Sequence, residues 1–174
     1  MAKTLSIVAL GDVSRNLLET VAAGARNAFE LEVRIDNPLA DPGYAFNPGR
    51  SQYHAASILR KLGQSHLPPG RDYVLAIGPL DLFDPETEFV YGDGDSHLRS
   101  AALGMVRLRT ADDERLARRV TAVSLWAAGL AMGLRDCDDS RCAMCVPRIV
   151  EELERRSGSL CPACKGLWAE GIES

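Results

Sequence analysis

Cysteine is the residue type in this chain best suited to hold a metal, and all five cysteines lie after residue 136: Cys137, Cys142, Cys145, Cys161 and Cys164. Cys142 and Cys145 form one Cys-x-x-Cys pair, Cys161 and Cys164 another, with fifteen residues between them. Each pair can offer two thiolates from one tight turn, the spacing of tetrahedral structural zinc. An odd, clustered set in a chain whose N-terminus lacks a cleavable leader pattern also favours metal over a disulfide framework. Five thiols compete for four positions. Spacing favours a ribbon-like set of Cys142, Cys145, Cys161 and Cys164, and the set Cys137, Cys142, Cys161 and Cys164 fits equally well if the loop after the preceding helix wraps the metal. The alternatives without metal are five buried free thiols or a redox Cys161-Pro-Ala-Cys164 motif. The redox motif is disfavoured because it follows a helix near the C-terminus and not the first strand of a βαβ unit.

Little other chemistry is in evidence. The three histidines, His54, His66 and His97, include no pair at i and i+4 and none on the long helix, so each reads as a solvated or structural side chain. A net charge of −4 and the absence of an aromatic and basic stripe set nucleic acid aside as a partner. No window approaches the apolar length of a membrane span, and a cytoplasmic location is expected.

These residues need a scaffold, and 174 residues with 46% apolar content suffice for one domain with a sizeable core. Leu5 to Leu10 reads as a buried strand, followed by a helix capped by Asp12 or Ser14, and Leu31 to Ile35 alternates like a second strand. Residues 36–50 hold Pro38, Pro42, Gly43, Pro48 and Gly49 and read as a long loop. A second helix faces Tyr53, Ile58, Leu59 and Leu62 inward. Tyr73 to Ile77 is a continuous apolar run expected at the centre of the sheet. Phe89-Val90-Tyr91, between acidic flanks, reads as an edge strand, and Ala101 to Leu108 as one more strand. From Asp112 to Leu134 the pattern is helical, first charged, which reads as a solvated face, then almost wholly apolar and therefore buried. The order implies an α/β fold with a mostly parallel sheet and one antiparallel edge, a single domain over 1–174 with a Cys-rich zinc subregion at 137–174.

Gly133, Cys137, Cys142, Met144, Cys161 and Cys164 together resemble the archaemetzincins, a branch of the metzincin zinc proteases. That family carries H-E-x-x-H-x-x-G-x-x-H on a long helix, then C-x4-C-x-M and a later C-x-x-C. SQYHAASIL (51–59) is similar to the family's Q-Y-N-S-x-x-L, and LDLFDPETEFVYGDGD (80–95) to its D-L-F-x-P-x-x-x-F-V-F-G-E-A segment. The resemblance spans nearly the whole chain and implies a metzincin-like twisted mixed sheet with packed helices and a C-terminal zinc subdomain. Its cysteine positions imply Cys137, Cys142, Cys161 and Cys164 as ligands of one structural Zn2+, leaving Cys145 as the alternative ligand.

The catalytic half of the resemblance is missing. Trp126 and Leu130 stand where the family places the first two zinc-binding histidines, Asp136 where it places the third, and Ala127 where the general-base Glu belongs. A catalytic zinc needs three protein ligands and a base within reach of its water. The expectation is a pseudoprotease whose former zinc pocket is filled by Trp126 and Leu130, with Met144 reduced to packing. Its use would be to bind a peptide or protein along the Phe89–Tyr91 edge. The competing expectations are an enzyme with altered chemistry near Asp136 and Cys145, and a zinc-ribbon module for nucleic acid.

Overall fold

The computed structural model describes residues 2–65 and 69–171, so His66 lies outside the described residues. Five strands form the main sheet: β1 (Thr4–Ala9), β2 (Glu32–Ile35), β5 (Tyr73–Gly78), β7 (Gly92–Asp95) and β8 (Ser100–Gly104), in the order β2-β1-β5-β8-β7. The pairs among β2, β1, β5 and β8 are parallel and β7 runs antiparallel to β8. β3 (Phe46–Asn47), β4 (Gln52–His54) and β6 (Leu82–Phe83) make a second, small sheet.

The Tyr73–Ile77 run is central, as its composition requires, and the reason shows in its two cores. Leu5, Ile7, Tyr73, Leu75, Ile77, Ala101 and Leu103 face α1 (Arg15–Phe29) and α3 (Asp113–Ala131). Val8, Val74, Ala76 and Ala102 face α2 (Ala55–Ser65) on the other side. A strand covered on both faces has no position left for a polar residue to gain from water, so alternation disappears from its sequence.

Helix ends follow their capping residues. Ser14, not Asp12, caps α1, its side chain accepting from Leu17 N, and Asp112 caps α3 by accepting from Glu114 N and Arg115 N. α3 stops earlier than the apolar pattern does. Gly133 adopts φ +96°, Leu134 N donates to Gly129 O and Gly133 N to Leu130 O. These two bonds form a Schellman motif that turns the chain back along the helix.

Four expectations are corrected. The edge strand is Gly92–Asp95 and not Phe89–Tyr91. Val90 makes only an isolated bridge to Leu82, and Phe89 lies under the Arg107 guanidinium, 4.1 Å from its ring centroid. The strand belongs to the glycines because α3 crosses this edge so closely: a Cβ on Gly94 would fall 2.9 Å from Leu130 Cβ and inside contact distance of the Ala127 carbonyl. Tertiary approach outweighs the β propensity of the aromatic triplet. Tyr53 lies in β4, ahead of α2, and β8 ends at Gly104, where the backbone turns into a 3-10 segment at Val106–Leu108. The loop at 36–50 contains a 3-10 turn at Gly43–Ala45 and the start of a hairpin.

The start of α3 is also less solvated than its charges suggest. Arg119 is buried, donating to Glu154 at 2.8 Å and to the Leu108 carbonyl at 3.2 Å, and Arg115 reaches the same Glu154. Spaced i and i+4, the two arginines share one face and meet one carboxylate. Glu154 follows α4 (Val150–Leu153), so this ion pair ties the C-terminal segment to α3.

Candidate metal centre and the cleft beside it

Two turns and a helix start bring four cysteines together. Cys137 follows the Schellman turn, and its N–H donates to the Met144 carbonyl at 2.9 Å, closing the Cys137–Met144 loop. Cys142 lies at the base of that loop, buried. Cys161 caps α5 (Pro162–Ala169), with Pro162 in the first turn where a missing N–H costs nothing, and Cys164 sits one turn on. The sulfurs of Cys137, Cys142, Cys161 and Cys164 all lie within 4.8 Å of one another, and those of Cys137 and Cys161 are 3.8 Å apart. A zinc ion bound by four sulfurs at about 2.3 Å has sulfur–sulfur edges of about 3.8 Å.

The surroundings also suit thiolates. Met144 N and Cys161 N point at Cys142 Sγ (3.4 and 3.3 Å), and Cys164 N at Cys161 Sγ (3.5 Å). The Cys164 N–H is the main reason the Cys161 thiol is brought down to about 7, whereas burial pushes Cys164 up. The donor set therefore fits one structural zinc in its chemistry and its spacing. Cys145 is not in the group: its thiol lies 4.0 Å from the Val146 carbonyl.

Residues invisible to motif reading hold this loop. Arg156 donates to the carbonyls of Cys142 (3.2 Å), Cys145 (2.6 Å) and Val146 (3.2 Å). Trp168 on α5 donates to the Phe29 carbonyl at 2.7 Å and packs edge-on against the Phe29 ring, docking the C-terminal helix on the end of α1. Nothing in the spacing of Arg156 or Trp168 marks the one as a clamp or the other as an anchor.

The four positions matched to the protease motif lie together on α3 and after its turn. The Trp126 side chain is nearly buried at 9% exposure, and its Nε1–H donates to Asp136 Oδ1 at 2.9 Å. Ala127 is fully buried, with its backbone carbonyl against the edge strand at Gly94, and Leu130 is half-buried with its Cβ toward the same glycine. Met144 is fully buried against Gly129, where any Cβ would overlap its thioether. Of the histidines, His54 pairs through Nδ1 with Ser57 Oγ (2.7 Å), and His97 sits in the β7–β8 turn, its backbone N–H on Asp95. Among the described residues neither imidazole is hydrogen-bonded to Asp136 or Cys145.

The face of β7 turned away from α3 is acidic, since Gly92 and Gly94 face the helix and Asp93 and Asp95 alternate with them. Burial pushes the Asp93 carboxyl up, the Gly94 N–H at 2.8 Å partly offsets this, and the charges of Asp84, Asp95 and Asp136 push it up again. A carboxyl raised in the folded state carries a penalty that is fully present above its folded pKa and vanishes below its unfolded one. Asp93→Asn keeps the acceptor for Gly94 and removes the charge. It is expected to stabilise the protein by about 0.2–1 kcal/mol at neutral pH. The advantage should fade as pH falls through the raised pKa, which melting temperatures across pH would follow; a lower melting temperature than wild type at neutral pH would contradict it.

No family model matches the chain. It is 30% identical over 143 residues to the archaemetzincin of Methanopyrus kandleri, a stretch covering 82% of this chain and 81% of that one. The chain belongs to the archaemetzincin family. The crystal structure of the Methanopyrus kandleri archaemetzincin superposes with a TM-score of 0.87 at 25% identity, covering 98% of this chain and 95% of that one. A zinc-dependent peptidase from Methanocorpusculum labreanum superposes with a TM-score of 0.81, also at 25% identity, over 94% of this chain and 99% of that one. This archaemetzincin thus has the family's mixed α/β fold and a cysteine cluster suited to a single zinc. Among the described residues, no helix is long and apolar enough to cross a membrane.

Proposed function

We propose that this chain is a pseudoprotease of the archaemetzincin family. In this reading Cys137, Cys142, Cys161 and Cys164 hold one structural zinc, and the former catalytic cleft serves to bind an extended peptide. The observation that carries the reading is the indole of Trp126 bonded to Asp136. The one side chain at the four motif positions with metal-binding oxygens is engaged by the residue standing where a zinc ligand belongs. Trp126 fills space, Ala127 has no proton to take or give, and Leu130 has no lone pair. The rival reading, altered chemistry at Asp136 and Cys145, has less support, since neither described imidazole is hydrogen-bonded to either residue.

Close packing of the cleft supports the same reading. The family's edge segment reads G-E-A where this chain reads Gly92-Asp93-Gly94, and α3 sits too close here to admit that alanine. Gly94→Ala is expected to destabilise the protein by about 1–3 kcal/mol, because its methyl meets fixed backbone at Ala127. Chemical denaturation would measure this, and a neutral result would mean that the helix can move away from the edge.

The proposed ligand surface is β7 itself. Gly104 N donates to Tyr91 O, so by antiparallel alternation Asp93 and Asp95 pair with β8, and the backbone groups of Gly92 and Gly94 point outward, with the Gly94 N–H taken by Asp93 Oδ1. An extended peptide can add there by main-chain pairing, which needs no catalytic metal. Amide exchange tests the proposal: a bound peptide should slow exchange at Gly92 and leave that peptide uncut, whereas cleavage of the peptide would overturn it.

A further inference from the structure

Apart from the cleft, a groove of about 620 Å3 opens between the β3–β4 hairpin, the start of α2 and the segment after β6. Tyr44 and Phe46 stand on its wall at 54% and 44% exposure, two large rings left in water. Phe83 also lines it, buried, with the Arg50 guanidinium 4.1 Å from its ring centroid and the His54 ring 5.3 Å away. Arg50 is fixed in that pose: Nε donates to Gln52 Oε1 at 2.9 Å, and Nη2 to the carbonyls of Thr87 and Glu88 at 2.7 and 3.1 Å. Its Nη1 has no partner among the described residues, and neither has Nε2 of His54, whose Nδ1 is taken by Ser57. A further cation, Lys61, lies 5.9 Å from the Tyr44 ring centroid.

The groove's composition is selective. The chain has 24 acidic residues against 20 Lys and Arg, yet no Asp or Glu is among the described residues lining this groove. Aromatic faces left exposed favour a flat ring, against which stacking contributes about 1–3 kcal/mol for a nucleobase. A guanidinium already immobilised by three bonds loses little further freedom on meeting an anion, and its planar fork matches carboxylate and phosphate oxygens. The volume suits a small ligand. A nucleic-acid strand is disfavoured, because the acidic chain supplies no basic track beyond the groove.

We propose that this groove binds a small planar anion, an aromatic ring carrying a phosphate or a carboxylate. The ring lies against Tyr44 and Phe46, and the anionic oxygens take the free Nη1–H of Arg50 and, in the tautomer where Ser57 Oγ donates to Nδ1, the Nε2–H of His54. The site is separate from the edge-strand reading and does not depend on it.

Calorimetric titration of the zinc-loaded full chain with four probes tests this: AMP, indole-3-acetate, adenosine and inorganic phosphate. AMP, indole-3-acetate or both should saturate with a dissociation constant at or below about 1 mM. Saturation by only one identifies the anionic group as phosphate or carboxylate. Adenosine and phosphate, each lacking half of the recognised chemistry, should bind at least about tenfold more weakly than the better anion. Tyr44→Ala, a change at an exposed side chain that leaves the core untouched, and His54→Phe, which keeps a ring but no N–H donor, should each weaken that anion about tenfold or more. The proposal is overturned if neither anion saturates, if adenosine or phosphate binds as tightly as the better anion, or if Tyr44→Ala and His54→Phe both bind it like the wild type.

Discussion

Cys137→Ser is expected to release the zinc and unfold the C-terminal segment, whereas Cys145→Ser should keep both metal and stability. The contrast follows from position. Cys137 Sγ lies 3.8 Å from Cys161 Sγ within the four-sulfur group, and Cys145 lies outside it with its thiol toward a carbonyl. The zinc in such a site is part of the folding energy, with apparent binding free energies of about 10–16 kcal/mol in small zinc domains. Loss of one ligand therefore outweighs any single packing change in this protein. The effect should be regional before it is global. α5 docks on the end of α1 through Trp168 on Phe29, and Arg156 can hold the 142–146 carbonyls only while that loop keeps its shape. Metal analysis and melting curves of the two variants decide the matter. Retained zinc in Cys137→Ser with loss in Cys145→Ser would show that the ribbon-like set holds the metal.

Trp126→Ala is expected to destabilise the protein by about 3–5 kcal/mol, the usual range for emptying a buried tryptophan site. The side chain is nearly buried, and that burial carries the cost, because exposed Asp136 can exchange the lost indole N–H for water. Restoring the whole motif by Trp126→His, Ala127→Glu, Leu130→His and Asp136→His should be no gentler. The glutamate would enter at a fully buried position on a helix packed closely against the edge strand, and no bonded partner there awaits the new imidazoles. The quadruple variant is expected to be less stable than wild type, to take up a second zinc weakly and to hydrolyse peptides negligibly. Tight binding of a second zinc with turnover well above background would mean that the cleft is intact apart from these four residues.

The fold was largely readable because its rules are local. A strand buried on both faces becomes a plain apolar run, as Tyr73–Ile77 shows, and a glycine at a helix end forces the turn at Gly133. The edge strand was misplaced because its determinant is distant in sequence. Only the approach of Ala127 and Leu130 explains why Gly92-Asp93-Gly94-Asp95, poor in β propensity, takes the ladder that Phe89-Val90-Tyr91 seemed to claim. The solvated reading of the α3 start holds for Asp112, Asp113, Glu114, Arg115 and Arg118 and fails at Arg119 for the same reason, since Arg119 is explained by Glu154, thirty-five residues away. In the metal centre, spacing alone left two ligand sets open. The Gly133 turn favours the one with Cys137, because it brings that residue back toward Cys161. Arg156 had no signature, because a clamp on carbonyl oxygens asks nothing of the residues it holds.

The most direct test of the pseudoprotease reading measures zinc per chain and peptide turnover on one preparation incubated with excess zinc and then desalted. The expected result is one zinc per chain, lost in Cys137→Ser, with hydrolysis of a broad peptide panel at background. Two zinc ions per chain, or cleavage abolished by a chelator and restored by zinc, would contradict it.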